Sequence, residues 1–146
     1  MTNAADYAFM ARALRLAERG IYSADPNPRV GCVLVRDGEI VGEGWHCRAG
    51  EPHAEVHALR QAGERARGAD VYVTLEPCLM CAGALVLARI TRLVYGCRDP
   101  KAGALGSVYD VVRDNRLNHV YRITPGVLET ECRELLTSFF EKLRMK

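Results

Sequence analysis

The 146-residue chain has no apolar run long enough to cross a bilayer. Its longest strongly apolar stretch, Ala82 to Ala88, stops at Arg89, whereas a spanning helix needs about 20 such residues. The first residues, Met1-Thr2-Asn3-Ala4-Ala5-Asp6, lack the basic-then-apolar pattern of a secretory signal. No internal repeat or low-complexity linker interrupts the sequence, which argues against a solenoid or a tethered array. An excess of one charge sign is also missing. The net charge is +2 and the pI is about 8.3, short of the value above ~9 typical of a nucleic-acid-binding domain. These absences predict a soluble cytoplasmic chain with no membrane partner, folding as one domain over residues 1–146. Hydrophobic residues at 49% and charged residues at 26% are ordinary for a globular fold, and exclude a wholly disordered or collagen-like chain.

The charge is unevenly spread. Residues 1–70 carry a net −1 and residues 71–146 a net +3. Between Arg89 and Arg122 stand seven basic residues (Arg89, Arg92, Arg98, Lys101, Arg113, Arg116 and Arg122) against three acidic ones. A solvated face is the plain reading of such a run, and a polyanionic substrate is the sharper one.

Helical spacing of Phe9, Ala13, Leu16 and Ala17 predicts a helix over Ala4–Arg19, stopped by Gly20. The two prolines of Asp25-Pro26-Asn27-Pro28 require a loop. Val30–Arg36 and Glu39–Glu43 read as strands joined by the hairpin turn Asp37-Gly38. Next come a helix over His53–Ala66, a strand at Val71–Leu75, a helix from after Pro77 through Ala88 and a strand at Leu93–Tyr95. This alternation implies helices on the faces of a sheet with parallel pairing. A long loop, Arg98 to His119, leads to a short strand at Tyr121–Thr124. The last helix, Glu129–Arg144, carries the apolar stripe Cys132, Leu135, Leu136, Phe139, Phe140 and Leu143, read as core rather than as a base-stacking platform.

Six cysteines occur, at 32, 47, 78, 81, 97 and 132. Without a secretory signal a disulfide framework is not expected. Cys78 and Cys81 differ from the rest because their spacing is a chemical one. On a first helical turn, side chains at i and i+3 share a face, and a helix N-terminus favours thiolates. His53, also at a predicted helix start, completes an imidazole-and-thiolate set that suits Zn2+ and leaves a fourth position open to water. Glu55, two residues on, is not a ligand in this reading. It is the general acid/base that moves protons between the water and a substrate nitrogen. His57 is read as a packing or surface residue, since the acid/base pattern is already filled. A thiol-disulfide oxidoreductase would leave His53 and Glu55 without a role. A structural zinc module would need a fourth protein ligand, and no remaining Cys or His stands at a motif spacing.

His53-Ala54-Glu55 followed by Pro77-Cys78-Leu79-Met80-Cys81 matches the signature of zinc nucleobase deaminases. The sequence resembles the cytidine-deaminase-like superfamily across nearly its full length. Up to about residue 76 it resembles the pyrimidine deaminase domain of the riboflavin-biosynthesis deaminase/reductase. The residues that carry this are Pro26-Asn27-Pro28-Arg29-Val30-Gly31, Gly42-Glu43-Gly44-Trp45-His46 and Gly50-Glu51-Pro52-His53-Ala54-Glu55-Val56-His57-Ala58-Leu59. From Cys78 onward it resembles the bacterial tRNA adenosine deaminase. The residues here are Cys78-Leu79-Met80-Cys81-Ala82-Gly83-Ala84, Arg98-Asp99-Pro100-Lys101-Ala102-Gly103-Ala104, Leu117-Asn118-His119, and Glu131-Cys132 through Phe139-Phe140. The two patterns meet at Val73-Thr74-Leu75-Glu76-Pro77-Cys78, which suggests a composite of two families.

The resemblance implies a three-layer α/β/α fold around a five-stranded mixed sheet, one Zn2+ per chain, and a homodimer. It implies hydrolytic deamination of a nucleobase: adenosine to inosine at the tRNA anticodon wobble position. The alternative is a pyrimidine, either an aminopyrimidine nucleotide or cytosine in single-stranded nucleic acid. Asn27, His46 and Ala54 are the implied substrate-reading residues of the pocket. Asp99 and Lys101 are implied to track the anticodon stem-loop. His46 and Asn27 follow the riboflavin pattern, whereas the long loop which that family places between its two cysteines is absent here.

Overall fold

In a computed structural model the protein is described over residues 2–20, 29–46, 50–114 and 116–145, with side chains of the last helix described through Thr137. Helix α1 (Ala4–Glu18) starts at Asn3, whose side chain accepts from the Asp6 amide while the Asp6 carboxylate accepts from the Asn3 amide. This reciprocal cap satisfies two amides that the helix start would otherwise leave bare. Strands β1 (Gly31–Arg36) and β2 (Glu39–Trp45) form the expected hairpin. Asp37 and Gly38 both adopt positive φ, 53° and 78°, so their twist matches that of the flanking strands.

Helix α2 (Ala54–Ala62) follows, then strand β3 (Asp70–Leu75), helix α3 (Leu79–Leu87), strand β4 (Arg92–Cys97), strand β5 (Arg122–Thr124) and helix α4 (Glu129–Met145). The single helix expected over His53–Ala66 is in fact two pieces. At Gly63, with φ 57°, α2 ends and a 3-10 turn over Gly63–Ala66 takes over. The third strand is one residue longer than expected, β4 is three longer, and β2 runs two residues further, to Trp45. The loop after β4 contains a short 3-10 turn at Val111–Arg113.

The sheet order is β2-β1-β3-β4-β5. The β3–β4 and β4–β5 pairs are parallel, as the αβ alternation requires, while β1 runs antiparallel to both neighbours. The sheet is therefore mixed, with five strands. Alternate residues face opposite layers. Val33, Val35, Tyr72 and Val94 pack with Met10, Ala13 and Leu16 of α1 and with Cys132 and Leu136 of α4. Cys32, Leu34, Val71, Val73, Leu93 and Tyr95 pack on the other face against Ala54 and Ala58 of α2 and Ala82, Leu85 and Val86 of α3. This is a three-layer α/β/α fold. Of the α4 stripe, Cys132 and Leu136 join the core; Phe139, Phe140 and Leu143 lie outside the described side chains.

Two glycines let α2 lie directly on the hairpin. A Cβ at Gly42 would sit 2.3 Å from the Ala58 carbonyl oxygen, and one at Gly44 would sit 2.4 Å from that of Ala54. Backbone contact this close fixes the start of α2 over the sheet. That start, carrying His53, and the turn between β3 and α3, carrying Cys78, converge at the carboxyl end of β3.

Candidate active site

His53 and Cys78 are the residues just before α2 and α3, both with extended backbone. Neither side chain caps its helix. Both are therefore free to face the space between the two helix starts. His53 Nδ1 lies 3.6 Å from Cys78 Sγ and 3.5 Å from Cys81 Sγ, and one ligand atom from each residue lies within 4.8 Å of the others. Among the described residues no other group of three His, Cys, Asp or Glu side chains converges in this way. Cys81 is buried one turn into α3, Cys78 is half-buried, and His53 faces solvent. One borderline nitrogen and two soft sulfurs at this spacing fit a tetrahedral zinc with a fourth position unfilled by protein.

The electrostatics of the three side chains are shared. Hydrogen bonds from Cys81 and His53 hold the Cys78 thiol down to about 4. The hydrogen bond to Cys78, aided by burial, pushes Cys81 up. The Cys78 thiolate in turn raises His53. A divalent cation is the natural substitute for the protons held here, because it neutralises both sulfurs at once.

Glu55 stands in the first turn of α2, 3% exposed, and burial pushes its carboxyl up to about 7. That is the range in which a carboxyl both takes and gives protons near neutrality. Glu55, His53 and Cys78 line one cavity of about 190 Å³, together with Val30, His46, Ala54, Leu75, Glu76, Asp99 and Ala102. His46 is buried, and its ring stands edge-on to His53 with centroids 5.6 Å apart. Neither ring nitrogen of His46 has a well-formed hydrogen bond; the Pro52 backbone is near, at poor geometry. Burial pushes His46 down, which keeps the ring neutral.

The structure thus brings His53, Cys78, Cys81, Glu55, His46, Ala54 and Asp99 together. Lys101 is exposed and does not line the cavity. Asn27 lies outside the described residues. His57 is half-exposed and apart from the ligand cluster, in line with a packing role. Of the seven basic residues between Arg89 and Arg122, three are held in ion pairs: Arg92 with Asp6 at 2.8 Å, Arg113 with Asp110 at 2.9 Å and Arg116 with Asp114 at 2.7 Å. Arg92 in particular is therefore answered by the protein itself, buried against Asp6. Glu76 escaped the reading of the sequence, although a carboxylate ending an apolar strand just before Pro77-Cys78 was a visible signal.

An α/β/α fold with an imidazole–dithiol cluster beside a buried carboxyl at the strand ends fits a metal-dependent enzyme with an open coordination position. Residues 3–97 match the family model for the cytidine and deoxycytidylate deaminase zinc-binding region, and the chain belongs to that family. Zinc is accordingly its cofactor. The chain is 46% identical over 145 residues to the riboflavin biosynthesis protein RibD of Escherichia coli, covering 95% of this chain and 38% of that one. It is 37% identical over 145 residues to a tRNA-specific adenosine deaminase of Streptococcus pyogenes, covering 93% of this chain and 84% of that one. The solved RibD of Acinetobacter baumannii superposes with a TM-score of 0.82 at 43% identity, covering 92% of this chain and 38% of that one. The chain thus spans well under half the length of the RibD proteins it matches. Both kinds of relative align across nearly the whole chain, so neither alignment breaks where the two motif patterns meet.

Proposed function

We propose that this chain deaminates adenosine to inosine at the wobble position of a tRNA anticodon, with residues 1–146 acting as one deaminase domain. The supporting observation is the compact cysteine pair. Cys78 and Cys81 lie on one turn of α3, so no long intervening loop covers the cavity. The wall is formed instead by the segment holding Asp99 and Ala102. An extruded base can then enter beside solvent-facing His53, while its strand runs outside along Asp99 and Lys101. A volume of about 190 Å³ suits a single heterocycle.

His53, Cys78 and Cys81 would hold the zinc in this reading, and the metal would supply an activated water. Glu55 accepts the proton of that water and passes it to the ring nitrogen beside the carbon under attack. It then takes the remaining proton of the added hydroxyl and delivers it to the departing amine. The water oxygen stays on the ring as the carbonyl, and ammonia leaves. Neutral His46 offers one donor and one acceptor to the substrate. Ala54 supports the base from the cavity wall, and Asn27 is assigned a further reading contact. Such a role carries with it a cytoplasmic location, and among the described residues no helix is long and apolar enough to cross a membrane. A homodimer also belongs to this proposal. Leu79, Met80 and Leu87 form an exposed apolar stripe on α3, 51%, 59% and 83% accessible, of the kind that partner surfaces cover.

A second reading has a specific observation behind it. His46 follows the riboflavin pattern, and the 46% identity to RibD favours an aminopyrimidine nucleotide. One assay separates the two. An anticodon stem-loop, a single-stranded DNA and a ribityl-aminopyrimidine phosphate are incubated with the zinc-loaded protein and followed by mass. Conversion of the stem-loop alone supports the proposal, and conversion of the pyrimidine alone overturns it. Stem-loop affinity should also fall steeply with salt, because phosphate contacts release counterions. Sedimentation of the parent and of Leu87→Glu tests the dimer. Separate trees of residues 1–76 and 78–146 that agree would remove the composite origin.

A further inference from the structure

One wall of the cavity comes from the long loop after β4, through Asp99 and Ala102. That loop has little regular structure of its own, yet it must stand at a defined place for the wall to exist. Glu76 supplies the anchor. Its side chain is 2% exposed, at the end of β3 and two residues before Cys78. Oε1 accepts from the Asp99 amide at 3.2 Å and from the Ser107 hydroxyl. Oε2 accepts from the Leu105 amide at 2.9 Å and the Ser107 amide at 3.1 Å. The backbone reinforces the join. The Ala104 amide donates to the Pro77 carbonyl at 2.8 Å, and Cys78 pairs with Gly103 as an isolated antiparallel bridge. Gly103 comes so close that a Cβ there would lie 2.4 Å from the Glu76 carboxyl carbon.

We infer that Glu76 is a positioning residue: its carboxylate clamps the 98–108 loop onto the metal-ligand turn and thereby sets how tightly substrate is held. The number and kind of donors support this. An ionised carboxylate accepts at both oxygens and donates nowhere, so it can receive three amides and a hydroxyl at once. A glutamine of nearly the same shape would turn an NH2 toward two of those donors. Asp99, held by the clamp, uses its own Oδ1 to accept from the Lys101 and Ala102 amides at 3.0 and 3.2 Å. The order imposed at Glu76 therefore passes along the loop to the residues that face substrate. The clamp holds loop backbone and a hydroxyl rather than the metal-ligating side chains, so it acts on binding rather than on the chemical step.

The substrate arm of the inference rests on the deaminase reading; the structural arm does not. Zinc-loaded parent, Glu76→Gln and Ser107→Ala are compared for zinc content, for hydrogen exchange at the Asp99, Leu105 and Ser107 amides, and for KM and kcat on an anticodon stem-loop RNA. Losing a hydrogen-bonded carboxylate should speed exchange at these amides by about 10-fold or more in Glu76→Gln, with KM rising by a similar factor, kcat little changed and zinc retained. Ser107→Ala should move exchange and KM the same way by less. Unchanged exchange, a fall in kcat at constant KM, or loss of zinc in Glu76→Gln overturns the inference. If Glu76→Gln does not fold, unchanged exchange at Asp99 and Leu105 in Ser107→Ala overturns it instead. If the parent leaves the RNA untouched, the RNA reading falls and exchange still decides the role of Glu76.

Discussion

Two clusters of ionisable side chains sit at opposite ends of β3 and differ in one respect. At the amino end, the Asp6 carboxylate accepts from both terminal Arg92 nitrogens, at 2.8 and 2.9 Å, and from the Tyr72 hydroxyl at 2.7 Å. Arg92 spends its Nε on Thr124, and every charge there is answered within the cluster. At the carboxyl end, His53, Cys78, Cys81 and Glu55 crowd together, and burial and mutual contact push all but Cys78 toward holding their protons. His46 beside them has no well-formed partner. The first cluster is closed and holds α1, β3, β4 and β5 together. The second is open toward a cavity and is completed only from outside. Burial of charge alone therefore does not mark a functional site; incompleteness does.

The largest effect separates the two ends by activity. Glu55→Gln should lower the deamination rate by at least about 10²-fold, keep one zinc per chain by elemental analysis, and leave Tm unchanged or raised. A variant that turned over normally would remove Glu55 from the acid/base role.

The mirror experiment is Asp6→Asn. Breaking one side of a buried pair leaves the other charge uncompensated and should cost about 3–5 kcal/mol in denaturant unfolding, with the activity of the folded fraction intact. The Arg92 guanidinium holds Asp6 down at about 2, against an ordinary 3.8. Its stabilisation is therefore full above pH 4 and drains away as pH falls toward 2. Asp6→Asn should flatten the stability profile in that window. A profile as steep as the parent's would mean other carboxylates dominate it.

Two glycines sharpen the contrast further. Gly31→Ala would drive a Cβ to 1.9 Å from the Ala13 carbonyl oxygen of α1, and Gly44→Ala to 2.4 Å from that of Ala54 in α2. Both should cost about 1–3 kcal/mol, the scale of overpacking. Only Gly44→Ala, which pushes on the start of α2, should also weaken zinc affinity in a chelator competition. The smallest effect is expected at the exposed Asp114–Arg116 pair: Arg116→Ala should leave Tm and zinc content where they were, because water and salt screen it.

Much of this was legible along the chain. The Asp37-Gly38 turn, the helix starts before Ala54 and Leu79, and the His-x-Glu and Cys-x-x-Cys spacings are local signals, and each element appears within a few residues of its expected place. The break at Gly63 was harder to see, because a glycine inside an apolar helical pattern reads as tolerated until its φ is known. The basic run was legible only as a count. Counting charges from Arg89 to Arg122 treats Arg92 like Arg98, yet one is buried against α1 and the other exposed. Glu76 was passed over because the three residues that make its four hydrogen bonds lie 23 to 31 residues away.

The order of residues determined by itself which side chains could hold a metal, since ligand type and helical spacing are local properties. It also determined the α/β alternation, through the period of its apolar positions. Only the folded sheet decided that β1 would run antiparallel against β3, that Arg92 would be neutralised by a residue 86 positions away, and that Glu76 would gather a distant loop into the cavity wall. Those outcomes depend on which distant backbones come within hydrogen-bonding reach, and nearest neighbours along a chain do not encode that distance.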